Sequence, residues 1–169
     1  MLGGTRSGKS RYAEDLLPAD APVRYLATAR GDPDDAEWTA RLAAHRDRRP
    51  PGWLTVEEPD LPALLRAGGV PLLVDDLATW LTRVLDDAGG WEPAEVPAAV
   101  GARGTELVAA VAAAPGRVVL VSAEVGLGVV PATRAGRRFR DELGALNAAL
   151  AGVCDEVLLL VAGLPLRLK

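Results

Sequence analysis

Met1-Leu2-Gly3-Gly4-Thr5-Arg6-Ser7-Gly8-Lys9-Ser10 opens the chain, and from Gly3 onward it spells G-x-x-x-x-G-K-S. That is the spacing of a phosphate-binding loop. Gly3 and Gly8 let the backbone pass where a Cβ would clash. The N–H groups so freed form a nest for phosphate oxygens, and the helix starting at Lys9 adds the positive end of its dipole. Thr5, Arg6 and Ser7 complete the loop around a nucleotide. Lys9 is expected at the β- and γ-phosphates, and the Ser10 hydroxyl at Mg²⁺. Such a loop follows a central strand, yet only Met1 and Leu2 precede Gly3. Two residues fall short of a typical strand of roughly five or six, so an earlier start is favoured over an abbreviated strand.

Downstream the pattern alternates. A helix is expected over 9–17, closed by Pro18, then a strand over 23–27. A loop follows over 28–33, and a helix from Asp34 or Asp35 to about Arg46, with Trp38 and Leu42 facing inward. Pro50-Pro51-Gly52 ends that region, and a brief strand over 54–56 leads to Glu57. Asp60 can cap a short helix through Arg66. Pro71-Leu72-Leu73-Val74-Asp75 is apolar without alternation, as a strand buried on both faces is. Helices are read over 77–87 and 92–113, a second buried strand over 118–122, and an apolar loop over 124–131 too greasy to be fully solvated. The helix over 132–152 carries the stripe Phe139, Leu143, Leu146 and Leu150. Two strands, 156–162 and 164–168, close the chain around Gly163 and Pro165. Strands alternating with helices predict an α/β fold with a mostly parallel sheet covered on both faces. Residues 1–169 read as one domain.

The 169 residues carry a net charge of −4, which disfavours wholesale binding to nucleic acid or an anionic membrane. No apolar run approaches the roughly twenty residues a membrane helix needs, and no secretory leader is visible. With one cysteine, Cys154, there is no internal disulfide to expect. A reducing, cytoplasmic setting is the expectation, with Cys154 as a small buried apolar residue.

Asp75 is the natural partner of the phosphate loop. A carboxylate at the carboxyl end of a buried strand sits on the ligand edge of an open α/β sheet, where it can hold Mg²⁺ directly or through water. Asp76 would point elsewhere and could cap the next helix. His45 is the only histidine, in Arg41-Leu42-Ala43-Ala44-His45-Arg46-Asp47-Arg48-Arg49. So basic a stretch in an acidic protein suits a polyphosphate. Neighbouring arginines favour the neutral imidazole, the form able to attack phosphorus; taken by itself, a lone histidine among arginines is more often a solvated helix end. Arg134, Arg137, Arg138 and Arg140 form a second basic cluster, expected as an exposed face opposite the apolar stripe.

Together these motifs resemble the bifunctional adenosylcobinamide kinase/adenosylcobinamide-phosphate guanylyltransferase family of cobalamin biosynthesis, over essentially the whole length. Gly3-Gly4-Thr5-Arg6-Ser7-Gly8-Lys9-Ser10-Arg11 is similar to the family's loop, and Tyr25-Leu26-Ala27-Thr28-Ala29 to its next strand end. His45-Arg46 with Arg49-Pro50, and Trp53-x-Thr55-x-Glu57, resemble its histidine block. Residues 121–131, containing Glu124-Val125-Gly126-Leu127-Gly128-Val129-Val130-Pro131, resemble its E-V-G-x-G-V-V-P signature. Arg134, Phe139-Arg140-Asp141, Gly144, Asn147 and Gly163-Leu164-Pro165 continue the likeness. Ala123 departs from the family's usual Asn, and Asp76 stands where a small residue is more usual.

The resemblance implies a RecA-like P-loop domain assembling as a homotrimer, with the histidine helix near a subunit boundary. It implies two reactions: phosphorylation of adenosylcobinamide by GTP or ATP, then transfer of GMP from GTP through a GMP-histidine. His45 is the only match for that histidine. By the same analogy Arg30, Gly31, Asp32, Arg46, Asp47, Arg48, Arg49, Glu57 and Asp75 lie along the nucleotide. A plain P-loop small-molecule kinase would have no use for His45. A nucleotide-binding regulator is a third reading, although a guanine-reading N-K-x-D motif is missing from the chain.

Overall fold

The apolar runs form strands because β-branched and leucine side chains fill both faces of a sheet between two helical layers. The computed structural model describes residues 1–28, 36–56 and 60–169, with the side chains of Trp38, Arg41, Leu42 and His45 outside the described set. Seven strands are described: β1 (Leu2–Gly3), β2 (Arg24–Ala27), β3 (Leu54–Val56), β4 (Leu72–Asp75), β5 (Val118–Ala123), β6 (Leu158–Val161) and β7 (Leu164–Arg167). The helices are α1 (Lys9–Asp15), α2 (Ala36–Asp47), α3 (Leu61–Ala67), α4 (Leu77–Asp87), α5 (Ala98–Ala112) and α6 (Arg134–Val153). The strand order is β3-β2-β4-β5-β1-β6-β7. Every pairing is parallel apart from the closing β6–β7 hairpin. This is the α/β arrangement of a RecA-like P-loop domain, with one strand, β5, between the phosphate-loop strand and the strand ending in Asp75.

The two-residue strand does form. Leu2 pairs with Ser122 on one side and Leu159 on the other. The Met1 amine donates to the Leu120 carbonyl across 2.8 Å, and the Met1 carbonyl accepts from Ser122. Below β1 a cleft of about 390 Å³ opens among Met1, Leu16, Leu120, Cys154 and Leu158. As described, β1 is two residues long and is paired on both sides.

Alternation along the strands divides the core. Leu72, Val74 and Leu120 pack with Leu77, Trp80, Leu107, Leu143 and Leu146 of the α4–α5–α6 layer. Leu73, Val119 and Val121 pack with Ala13 and Leu17 on the α1 face, beside Tyr25 and Trp53. Asn147, buried within α6, accepts from the Ser122 hydroxyl at 2.7 Å and donates to the Ala123 carbonyl at 3.0 Å. Helix starts follow their caps: Asp60 accepts from Ala63 N–H, Asp76 from Thr79 N–H and Thr133 from Gly136 N–H.

Three expectations are corrected. The helix read over 92–113 begins only at Ala98, after the bends over 92–95 and with Pro97 at its N-cap. The apolar loop is open rather than sheltered, with Leu127 82%, Val129 95% and Val130 63% exposed. The second basic cluster is a solvated face only in part: Arg134 and Arg137 are exposed and Arg140 is half-buried. Arg138 is buried and donates to the carbonyls of Gly90, Pro93 and Ala94. Arg134 reaches those of Glu92 and Pro93, Arg137 those of Pro131 and Ala132, and Arg140 that of Gly126. These arginines bind loop backbone whose carbonyls no regular element satisfies. Cys154 is half-buried at the end of α6, and burial pushes its thiol pKa up. Among the described residues no helix is long and apolar enough to cross a membrane.

Candidate active site

The phosphate loop leaves the carboxyl end of β1 and enters α1. Gly3 is needed for close approach, since a Cβ there would lie 2.5 Å from Ser7 Oγ and 2.9 Å from the Leu160 carbonyl. Gly8 is needed for its conformation, with φ 90. Arg6 also takes the left-handed region, φ 57. Alternating left- and right-handed residues are what turn successive N–H groups to one side. Ser7 N–H closes the turn on the Gly4 carbonyl at 3.3 Å. The Ser7 hydroxyl is buried with no hydrogen-bond partner among the described residues. The turn of the β6–β7 hairpin backs the loop from behind, with Gly163 donating its N–H to the Ser7 carbonyl at 3.0 Å. Gly4, Thr5 and Arg6 are exposed, as a surface awaiting a ligand must be. Lys9 Nζ lies 3.4 Å from the Gly4 carbonyl, folded over the loop.

Asp75 ends β4 beside this loop. Its Oδ1 accepts from the Ser10 hydroxyl at 3.2 Å, and its Oδ2 from the Tyr25 hydroxyl at 2.6 Å. Burial, and after it the neighbouring Asp75, push the Tyr25 phenol far above its ordinary pKa. It is therefore a hydrogen-bond donor throughout the neutral range. The Asp75-Asp76 peptide is cis. Asp76 turns away, as expected, to cap α4, and burial raises its carboxyl pKa. Thr28, buried at the end of β2, donates to the Asp76 carbonyl at 2.7 Å and accepts from Asp76 N–H at 2.8 Å.

The end of the histidine stretch comes to the same place. Arg49 Cζ sits 3.4 Å from the centroid of the Tyr25 ring, a cation–π stack. Its Nη1 donates to Thr55 Oγ1 at 2.7 Å. Arg48 Nη2 is 3.5 Å from Glu14 Oε1. Burial pushes the Glu14 carboxyl pKa up, against the pull of Arg48. Arg46 and Asp47 are exposed at the end of α2. His45 lies in the last turn of α2; its side chain, and the candidates Arg30, Gly31, Asp32 and Glu57, lie outside the described residues.

Thus the loop, Lys9, Ser10, Asp75, Arg48 and Arg49 converge on one sheet edge. Tyr25, Glu14 and Thr28 join them, although none had been assigned a place in the site. Glu14 had a signal in the sequence: it is four residues after Ser10 and so shares its face of α1. Tyr25 opened the motif quoted over 25–29, but its approach to Asp75 depends on the β2–β4 register, which sets Tyr25 opposite Leu73.

Hard oxygen donors, Ser10 and Asp75, beside a nest of amides suit a cation such as Mg²⁺ that is shared with phosphate oxygens. Among the described residues no group of three His, Cys, Asp or Glu could hold a metal alone.

A family model described as cobinamide kinase / cobinamide phosphate guanyltransferase matches residues 1–168. The chain is 45% identical over 176 residues to the bifunctional adenosylcobalamin biosynthesis protein CobP of Pseudomonas aeruginosa, covering all of this chain and 95% of that protein. It is 40% identical over 179 residues to the bifunctional adenosylcobalamin biosynthesis protein CobU of Escherichia coli, and 40% over 180 to that of Salmonella typhimurium. Both alignments cover all of this chain and 98% of the relative.

Proposed function

This chain belongs to the cobinamide kinase / cobinamide phosphate guanyltransferase family, and from that premise we propose that it carries out both transfers on adenosylcobinamide. The observation that carries the reading is the Ser10–Asp75 contact beside the loop amides, in a chain that matches the family from residue 1 to residue 168.

In the first transfer the loop amides and Lys9 hold the β- and γ-phosphates of GTP or ATP. The alcohol of the aminopropanol arm attacks the γ-phosphorus, its proton departs, and the nucleoside diphosphate leaves. Little covalent chemistry falls to the protein in such a step, so positioning and charge do most of the work. Ser10 and Asp75 are the residues that would hold Mg²⁺, which when bound would offset the negative charge of the β- and γ-phosphates.

In the second transfer the same cradle holds GTP, with the β- and γ-phosphates now the leaving group. An imidazole nitrogen of His45 forms a bond to the α-phosphorus as pyrophosphate departs. The phosphate of adenosylcobinamide phosphate then attacks that phosphorus and breaks the P–N bond, giving adenosylcobinamide-GDP and free His45. Arg48 and Arg49, with Arg30, Asp32, Arg46 and Glu57 by analogy, are assigned to the nucleotide. The protein acts in the cytoplasm as a homotrimer of single-domain subunits.

Incubation with GTP radiolabelled at the α-phosphate tests this reading. An acid-labile, alkali-stable adduct is expected on the protein and is expected to vanish in His45→Ala. A folded wild-type protein that takes up no label would leave only the plain-kinase reading.

A further inference from the structure

Among the described residues, Tyr25 is a side chain that touches both halves of the site. It is 1% exposed, in a strand otherwise built for the core, and its two ends do different things. The hydroxyl donates to Asp75 Oδ2 at 2.6 Å, while Ser10 occupies Oδ1. Both oxygens of the carboxylate are therefore aimed, one by the loop helix and one by the phenol. The ring face carries the Arg49 guanidinium at 3.4 Å, and Trp53 braces the ring with centroids 6.5 Å apart.

Arg49 is not a free surface cation. Its Nη1 is fixed on Thr55 Oγ1, and its Nε is buried with no hydrogen-bond partner among the described residues. Its backbone N–H closes on the Arg46 carbonyl at 3.1 Å, locking the exit from α2. Where the guanidinium sits therefore fixes where the last turn of α2 sits, and His45 belongs to that turn. The Arg48–Glu14 ion pair ties the same exit to α1. A nucleophile misplaced by about 1 Å loses on the order of a hundredfold in rate, so such a seat has kinetic weight.

We propose that Tyr25 is a positioning residue for both transfers, its hydroxyl aiming the Asp75 carboxylate and its ring seating Arg49 and with it the last turn of the histidine-bearing helix. This rests on the two-transfer reading above and adds to it a physical link between the metal-binding edge and the nucleophile.

The two ends are separated by two variants. Tyr25→Phe keeps the ring and removes the hydroxyl. The Mg²⁺ concentration for half-maximal rate is expected to rise about tenfold or more in both transfers, with kcat largely restored at saturating Mg²⁺. Arg49→Ala leaves the phenol and the core untouched. Its Mg²⁺ requirement is expected to match wild type, while single-turnover labelling from α-labelled GTP slows at least about tenfold through kcat rather than KM. Amide exchange over residues 43–48 in the nucleotide-free protein is expected to quicken in Arg49→Ala and not in Tyr25→Phe.

An unchanged Mg²⁺ requirement in Tyr25→Phe overturns the role of the hydroxyl. A loss in Arg49→Ala that falls on KM alone, with exchange unchanged, confines Arg49 to holding the nucleotide and overturns the role of the ring. Should wild type take up no label at all, the two-transfer reading fails by itself. The Mg²⁺ dependence of phosphorylation and the exchange rates still decide Tyr25.

Discussion

Gly163 donates its backbone N–H to the carbonyl of Ser7 at 3.0 Å, so the turn of the last hairpin props the phosphate loop from behind. Gly163 has φ 81, and Ala162 before it φ 51. A side chain at Gly163 meets open space, but the left-handed conformation penalises it. Gly163→Ala is expected to cost about 1–2 kcal/mol. Thermal unfolding should read this as a fall of a few degrees, and nucleotide titration as weaker triphosphate binding.

Removing Lys9 and removing His45 should have different signatures. Lys9→Ala is expected to slow both transfers, because both use the same phosphate cradle. His45→Ala is expected to abolish guanylyl transfer and spare phosphorylation of adenosylcobinamide. Separate assays of the two products check this; equal loss of both in a folded His45→Ala protein contradicts the division of labour.

Arg138 and Arg137 are neighbours in α6 with opposite expectations. Arg138→Ala leaves the carbonyls of Gly90, Pro93 and Ala94 without their buried donor, a loss of about 2–3 kcal/mol. Arg137 is exposed, and Arg137→Ala is expected to change stability by no more than about 0.5 kcal/mol. Urea titration of both variants measures the contrast.

Glu14 gives stability a pH dependence. Burial raises its folded pKa above the unfolded value, so between the two values the folded state binds the proton more tightly. The contribution is therefore most favourable below the unfolded pKa and is lost as pH rises through the raised one. Relative to wild type, Glu14→Gln should gain stability as pH rises from about 4 toward neutrality. Paired urea titrations at acid and neutral pH check the sign.

The cleft beneath β1 predicts the effect of lengthening that strand. Met1, Leu16, Leu120 and Leu158 line it, and burial lowers the pKa of the Met1 amine at its mouth. Three added β-branched residues ahead of Met1 should continue β1 between β5 and β6. A gain of about 1–3 kcal/mol is expected from the apolar area covered, seen as a higher melting temperature.

Much of the architecture was legible because each element carried its own signal. Asp60 and Asp76 announce the helices they cap, and Leu72-Leu73-Val74 announces a doubly covered strand. The loop over 124–131 misled because its apolar residues implied a cover that the isolated chain does not supply. Arg138 was unreadable for another reason. Its partners are carbonyls more than forty residues away, and no local pattern marks a carbonyl in need of a donor. In the site, the loop and Asp75 were written in motif and position. The Tyr25–Asp75 and Gly163–Ser7 contacts depend on strand register and hairpin placement, which only the folded chain fixes.

The seating of β1 also orders events during synthesis. Its first residues emerge from the ribosome before any of their neighbours exist; Met1 bonds to Leu120, 119 positions later, and Leu2 aligns with Leu159. Contacts that distant form slowly, since a long loop must close first. The triphosphate cradle is consequently translated ahead of its sheet neighbours and is among the last parts to be assembled, and a nascent chain stalled before β6 would hold every loop residue yet lack the wall that shapes them.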